Sequence, residues 1–498
     1  MDIIKNQYKL YKKQSRIERG ENQPAEPVPG SFLIVGEIPC GWTIVKFSPS
    51  VSTENSKLLD EELVISSRGQ SMWKMKGKYK YMVKNWVGSE GIYINDSIDQ
   101  QIARMKTCIE DMPSELRAWQ NRSIIEPESQ IQENVDVPDT TKIPNIRKYM
   151  ITSVHGTPGS GKSTLIVNML KRLSSDYKIL IVAPSHNVVN NFGHKIDQMT
   201  PKPNFTILSE ESRLDPSLIA RHVSNHKDFN PSKKNALIES VQITISTVTK
   251  NIKNVRRAQI DIVICDEAGR VPVIDFMTLI QKMSNIKAVI LAGDPRQLPA
   301  RIGDAETEDI LRFVSSRKIG PVFNLSKQYR FGEQANNMIA KAYYNGKMTA
   351  ARKERESKIY CIEISSCECD SEEIIGCKKE AEIINEIWSN AANIRNSDVL
   401  VLTPYKTQYE ILESRFIDKE IQIKTIDTCQ GDEAQNVFIS LGRHRGQGFI
   451  NKQRMNVALS RAKGHTFIVG HELALEKCDA LKAVLREIKK VHQYFRIS

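Results

Sequence analysis

The run Gly156-Thr157-Pro158-Gly159-Ser160-Gly161-Lys162-Ser163-Thr164 has the residue types and spacing to hold a chain of phosphates. Its glycines let consecutive backbone N–H groups turn inward on an anion. Lys162 would neutralise the β and γ phosphates, and the Ser163 hydroxyl would hold Mg²⁺. An apolar run from Tyr149 to Val154 precedes the loop, and a helix-like run from Leu165 to Leu173 follows it. A phosphate-binding loop requires that order of strand, loop and helix; an ordinary glycine turn does not.

Other residues complete a hydrolytic set. Asp266-Glu267 ends the apolar strand Ile260 to Cys265. Asp266 would hold Mg²⁺ through water, and Glu267 would orient and deprotonate the water that attacks the γ-phosphate. Gln297, in Gly293-Asp294-Pro295-Arg296-Gln297-Leu298-Pro299, stands where it could bond the γ-phosphate or that water. Phosphoryl transfer also needs positive charge on the equatorial oxygens, usually an arginine from another element. Arg330, in Gln328-Tyr329-Arg330, and Arg461, in Asn456-Val457-Ala458-Leu459-Ser460-Arg461-Ala462-Lys463, are the candidates.

The elements that must position these residues are legible as apolar runs. Ile179 to Val182, Val241 to Ser246, Ile260 to Cys265, Ala288 to Leu291, Val399 to Leu402, Val437 to Leu441 and Thr466 to Val469 alternate with helical patterns. Such alternation predicts parallel sheets covered by helices. The pattern is long enough for two similar α/β domains, with a break near Gly320-Pro321. The stripe Leu481, Val484, Leu485, Ile488 and Val491 predicts a closing amphipathic helix.

The N-terminal third reads differently. Residues 1–30 are basic and then proline-rich, as in a flexible arm. Residues 31–95 predict a small β-rich domain. Within it Lys74, Lys76, Lys78 and Lys80 alternate with Trp73, Met75, Tyr79 and Tyr81. Period two puts the lysines on one face of a strand or hairpin, either a solvated wall or one that faces a polyanion. Residues 96–145 predict a stalk helix, with Ile98, Ile102, Met105, Ile109 and Met112 on one stripe, and a linker. Residues 146–320 and 321–498 predict the two α/β domains.

The 498 residues carry a formal net charge of +12, which favours a polyanionic partner. No apolar run is long enough to cross a bilayer. Met1-Asp-Ile-Ile-Lys has neither a signal-peptide core nor a myristoylation glycine, so an intracellular and reducing location, cytoplasmic, is expected. Nine cysteines are scattered. Cys361, Cys367, Cys369 and Cys377 cluster, but not at the paired spacing of a zinc ribbon, and reduced, partly buried thiols are the expectation.

Taken in order, these strings resemble the motifs of a superfamily 1 helicase. The phosphate loop resembles motif I, Ala183-Pro184-Ser185-His186-Asn187 motif Ia, and Ser246-Thr247 motif Ib or Ic. Asp266-Glu267-Ala268 and the Gly293 to Pro299 run resemble motifs II and III, and Gln328-Tyr329-Arg330 motif IV. Thr403-Pro404-Tyr405 with Gln408 resembles the strand-end motif before V. Thr425-Ile426-Asp427-Thr428-Cys429-Gln430-Gly431-Asp432-Glu433 resembles motif V, and Arg454 to Lys463 motif VI. The last pair is similar to the 5′-to-3′ branch typified by the nonsense-mediated-decay and nidovirus helicases, as is Tyr343-Tyr344-Asn345-Gly346-Lys347.

The resemblance covers about residues 146 to 470 and implies two RecA-like domains with ATP between them. It implies Gly431 and Glu433 near the γ-phosphate or ribose. Pro184, Ser185, Asn187, Thr247, Thr403, Pro404, Thr425 and Asp427 would contact single-stranded nucleic acid, mostly at its backbone. The lysine-faced block would be the small barrel that precedes the core in that branch. The implied activity is NTP-driven 5′-to-3′ unwinding, on RNA rather than DNA, in viral or mobile-element replication beside other replication proteins. A cellular RNA-processing or DNA helicase, or a strand-binding switch that hydrolyses without unwinding, are the alternatives. Arg270 departs from the pattern, standing where many relatives carry glutamine.

Overall fold

In the computed structural model the described residues are 150–209, 211–222, 231–249, 258–303, 305–365, 376–390, 395–416, 421–429, 431–443 and 448–497, with strand segments nearer the N-terminus. Those segments, Phe32–Ile38, Trp42–Phe47, Leu63–Ile65, Ser71–Lys74 and Lys80–Lys84, pair antiparallel into one five-stranded sheet. Lys74 pairs with Tyr81 and Trp73 with Met82. The lysine alternation is thus split between two strands of a hairpin, and residues 75–79 lie outside the described ones. So do the arm, the expected stalk helix, Cys367, Cys369 and Gln430.

The first lobe is built on strands β1 (Ile151–Gly156), β2 (Ile179–Ala183), β3 (Phe205–Leu208), β4 (Ile243–Thr247), β5 (Ile262–Cys265), β6 (Ala288–Gly293) and β7 (Val322–Leu325). They lie side by side as β7-β1-β6-β5-β2-β4-β3, all parallel, with Gln132–Asn134 adding an edge strand next to β7. The apolar runs have the physical reason expected of a parallel sheet, whose strands are covered on both faces. Leu180, Val182, Val263, Cys265, Val289 and Leu291 pack into one core, and Ile179, Ile181, Ile262, Ile264 and Ile290 into the core on the other side.

The second lobe has strands β8 (Ile359–Ile364), β9 (Val399–Thr403), β10 (Gln422–Thr425), β11 (Ala434–Ser440), β12 (Ala462–His471) and β13 (Tyr494–Ile497). Their order is β10-β9-β11-β12-β8-β13, again all parallel. Successive residues alternate between two cores here too: Leu400, Leu402, Val437 and Ile439 on one side, Val399, Val401 and Phe438 on the other.

Three expectations need correction. The break between lobes does not fall at Gly320-Pro321. Gly320, at φ 77°, turns the chain so that the Pro321 carbonyl accepts from Ser153 N–H at 2.9 Å, and β7 then joins the first sheet. The passage to the second lobe follows Leu325. Part of the expected linker, Gln132–Asn134, is a strand of the same sheet. The closing helix is Lys482–Lys490 and buries Val484, Leu485 and Ile488, but Val491 lies past its end and is exposed. Cys361 and Cys377 are buried free thiols. Among the described residues no helix is long and apolar enough to cross a membrane.

Candidate active site

All strands of a parallel sheet point one way, so the turns after β1, β5 and β6 share one edge of the first lobe. The loop after β1 leads into helix α1 (Lys162–Leu173), whose N-cap Gly161 is left-handed at φ 83°. A Cβ on Gly156 would come within 2.5 Å of the Lys162 side chain and of Ser160 Oγ, so that position has no room for one. Lys162 Nζ donates to the carbonyls of Gly156 at 2.8 Å and Thr157 at 3.3 Å, which curls the loop over its own lysine.

Asp266 leaves the end of β5 beside α1, and Ser163 Oγ donates to its Oδ2 at 3.1 Å. Burial pushes the Asp266 carboxyl up to about 6, with Glu267 adding to the effect and Lys162 opposing it. The Glu267 N–H donates to Asp266 Oδ1 at 2.9 Å. Glu267 itself is held at φ 53°, an uncommon conformation for a residue with a side chain. A hydroxyl beside a carboxylate is an oxygen donor set that suits a hard cation such as Mg²⁺.

Between the lobes lies a cleft of about 540 Å³. Gly159 to Thr164, Asp266 and Glu267 line it from the first lobe, and Gly431, Glu433 and Arg461 from the second. Arg330 arrives on the connection between them. Tyr329 N–H donates to the Gly159 carbonyl at 2.9 Å, and a Cβ on Gly159 would meet Arg330 Cβ at 2.7 Å. Its guanidinium donates across the seam to the Ser460 carbonyl and to the Glu433 carboxylate. Burial of the Glu433 carboxyl works the other way, yet Arg330 and then Lys463 hold it below its ordinary value.

Arg330 Nε and Arg461 Nε are both buried without a hydrogen-bond partner. Unpaired guanidinium nitrogens at the wall of a cleft are costly unless an anion meets them, so a phosphate group fits. Gln297 does not line the main cleft. It lines a small adjoining cavity with Glu267, Asp294 and Arg461. Gly156 and Thr157 likewise act from behind it, through the carbonyls that hold Lys162, and Pro158 does not line it.

Four more residues line the cleft that motif reading does not single out. Helix α2 (His186–Asp197) turns Val188, Asn191, Phe192 and Lys195 toward it, a helical stripe of i, i+3, i+4 and i+7. Burial lowers the Lys195 pKa, while Asp266 and Glu433 pull it back up. Asn191 comes within 3.4 Å of the position a Cβ would take on Gly431, across the seam. Tyr329 offers an aromatic face in the same cleft.

The expected strand contacts also gather at sheet ends, but not all remain available. Pro184 and Asn187 are accessible after β2, and Ser185 Oγ is buried without a partner. Thr425 ends β10, its hydroxyl 2.9 Å from that of Thr428. Thr247 and Thr403 are buried, so their side chains face the protein and not a strand. Asp427 is taken up by arginines: Arg301 Nη1 donates at 3.3 Å, and Arg454 at 3.1 and 3.2 Å. Arg270, the departure in motif II, donates to the Asp427 carbonyl at 3.2 Å and so links the acid strand to the second lobe.

Two family models, each described as an AAA domain, match residues 146–363 and 309–473. The chain is 22% identical over 374 residues to the DNA replication ATP-dependent helicase/nuclease DNA2 of Gallus gallus, covering 70% of this chain and 37% of that protein. It is 22% identical over 406 residues to DNA-binding protein SMUBP-2 of Mesocricetus auratus, covering 64% and 41%. An uncharacterized ATP-dependent helicase of Methanocaldococcus jannaschii is 25% identical over 314 residues, covering 55% and 46%.

The chain belongs to the superfamily 1 helicases. Both matched regions contribute residues to the interlobe cleft. The chain spans less than half the length of each of these curated relatives.

Proposed function

We propose that this superfamily 1 helicase hydrolyses a nucleoside triphosphate, ATP, with Mg²⁺ in the interlobe cleft, and uses the cycle to move 5′ to 3′ along a single strand and open duplexes. The observation that carries the reading is the division of the cleft. The phosphate loop and both acids stand on one lobe, and two guanidinium groups with unpartnered nitrogens close it from the connection and the other lobe.

Mg²⁺, held by Ser163 and Asp266, would supply charge neutralisation to the phosphates. Lys162 would exchange its loop carbonyls for phosphate oxygens. Glu267 would take the proton of the attacking water, Gln297 would orient that water from the adjoining cavity, and Arg330 and Arg461 would meet the charge that builds on the transferred group. Gly431, Glu433 and Lys195 would fix the rest of the nucleotide. Because Arg461, Gly431 and Glu433 reach the ligand only when the lobes are close, each nucleotide state favours its own lobe spacing, and that difference can drive a strand forward.

RNA as the track, in viral or mobile-element replication, with a small β-rich N-terminal domain guiding the strand, is the reading we prefer. It rests on the two-motif likeness to the 5′-to-3′ branch typified by the nonsense-mediated-decay and nidovirus helicases. A cellular enzyme acting on DNA is the second reading, favoured by the likeness to the DNA replication helicase/nuclease DNA2 and the DNA-binding protein SMUBP-2.

Hydrolysis measured with and without single-stranded RNA or DNA, followed by unwinding of duplexes tailed at either end, tests the proposal. Strand-stimulated hydrolysis and opening from 5′ tails are expected, with RNA the stronger activator. Stimulation without strand separation would leave a switch, and opening only from 3′ tails would reverse the direction. Lys162→Ala and Glu267→Gln should each abolish turnover in a folded protein; ordinary rates in either would refute the site.

A further inference from the structure

Phe449 is a large apolar side chain that the nucleotide cleft does not use. It precedes Asn451, the N-cap of helix α3 (Lys452–Leu459), and 40% of it is exposed. The Arg454 guanidinium carbon lies 3.5 Å from the ring centroid, and that of Arg301, from the first lobe, 5.3 Å. The Tyr405 ring is tilted against it at 6.5 Å, and the Tyr405 hydroxyl accepts from the Phe449 N–H at 3.0 Å. The ring is thus fixed at the seam of both lobes, its backbone tied to the residue that follows Thr403-Pro404.

A ring held rigid and half out in water is a poor arrangement for packing, since it neither completes a core nor escapes the cost of hydration. It is a good one for stacking. Every base has a π face, so an aromatic platform on a single-strand track works without reading sequence. The guanidinium groups against the ring give the spot a positive character that suits a base carried on a phosphate backbone, as does the net charge of +12. A paired duplex has no free base face to offer, and an apolar peptide would gain nothing from the two cations.

We propose that Phe449 is a stacking platform for an unpaired nucleobase where the single strand passes from one lobe to the other. The inference rests on the strand-binding reading above, and it names a residue outside the helicase motifs. Asp427 then has a part that its place in motif V does not suggest. It holds Arg301 and Arg454 beside the ring in place of touching the strand itself.

The test uses the full chain and fluorescein-labelled oligouridylate and oligothymidylate, beside abasic strands of equal length, followed by fluorescence anisotropy. Phe449→Ala should weaken binding of the base-bearing strands roughly tenfold and leave abasic strands unaffected. Phe449→Trp should keep the affinity. Its added emission, read against the wild-type background of five tryptophans, should be quenched by base-bearing strands and not by abasic ones. Thermal unfolding checks both variants, and if the alanine variant fails to fold, the quenching decides. Undiminished affinity in Phe449→Ala, an equal loss on abasic strands, or no quenching in Phe449→Trp would overturn the proposal while wild-type binding upheld the strand-binding reading. Wild-type protein that binds no strand at all would remove both.

Discussion

Asp266 holds a negative charge where burial resists it, and two consequences follow at the scale of that residue. Its carboxyl is pushed up to about 6, by burial first and then by Glu267. A folded pKa above the unfolded one favours folding at low pH, and that contribution is lost as the pH rises through about 6. Asp266→Asn should therefore raise the unfolding temperature of the ligand-free protein at pH 8 by an amount worth on the order of 2 kcal/mol, and by about half as much at pH 5. Melting curves across that range check the sign; an asparagine variant no more stable at pH 8 would mean that Lys162 already compensates the charge. A metal needs the carboxylate, so the Mg²⁺ concentration that gives half-maximal turnover should rise as the pH drops below about 6. The chemistry of the loop, the acids and the arginines was legible in the sequence because each role admits few residue types at fixed spacing. The fate of Asp427 was not: whether a carboxylate meets a strand or an arginine depends on what the fold brings to it, here Arg301 and Arg454.

At the scale of elements, what could be read depended on how a segment is covered. The central strands β2, β5, β6 and β9 are buried throughout and appear as unbroken apolar runs. Strands β7, β10 and β13 are short and mixed in character, because each is partly exposed, and only the finished sheet reveals them. Helix α2 was hidden for another reason. A lysine on a helix face is ordinarily solvated, and only the direction of that face makes Lys195 a wall of the interlobe cleft. Lys195→Met should raise the KM for nucleotide about tenfold with a smaller change in kcat, while Lys195→Arg restores it; steady-state kinetics separate this from a purely structural loss. The turn into β7 makes a second prediction. A Cβ on Gly320 would sit 2.1 Å from the Ile151 carbonyl oxygen, and φ there is 77°. Gly320→Ala should destabilise by about 1–3 kcal/mol, read by denaturant unfolding, since both the contact and the backbone resist it. A neutral result would show that the edge of the sheet yields freely beside the phosphate loop.

Among the described residues, polar contacts join the two lobes along their seam. Tyr344 Oη donates to Asp294 Oδ2 at 2.6 Å and accepts from Asn456 Nδ2 at 2.7 Å, while that same amide reaches the Arg296 carbonyl at 3.0 Å. Arg270 and Arg301 reach Asp427 from the first lobe. These contacts are unequal in what their loss would cost. Arg454 is only 2% exposed and depends on Asp427 for two of its hydrogen bonds, with Glu306 farther off at 3.4 Å. Arg301 is more open to solvent. Asp427→Ala should therefore cost about 3–5 kcal/mol, because it strands a buried guanidinium. Arg301→Ala should cost under about 1 kcal/mol, since its partner keeps Arg454 and water reaches the site. Denaturant unfolding of both variants and of the double variant closes a thermodynamic cycle. Strong coupling between the two sites would mean that the lobes hold together through Asp427 as one unit. Equal, small and additive losses would mean that Glu306, from the first lobe, can take over Arg454, and that the seam holds at this point without Asp427.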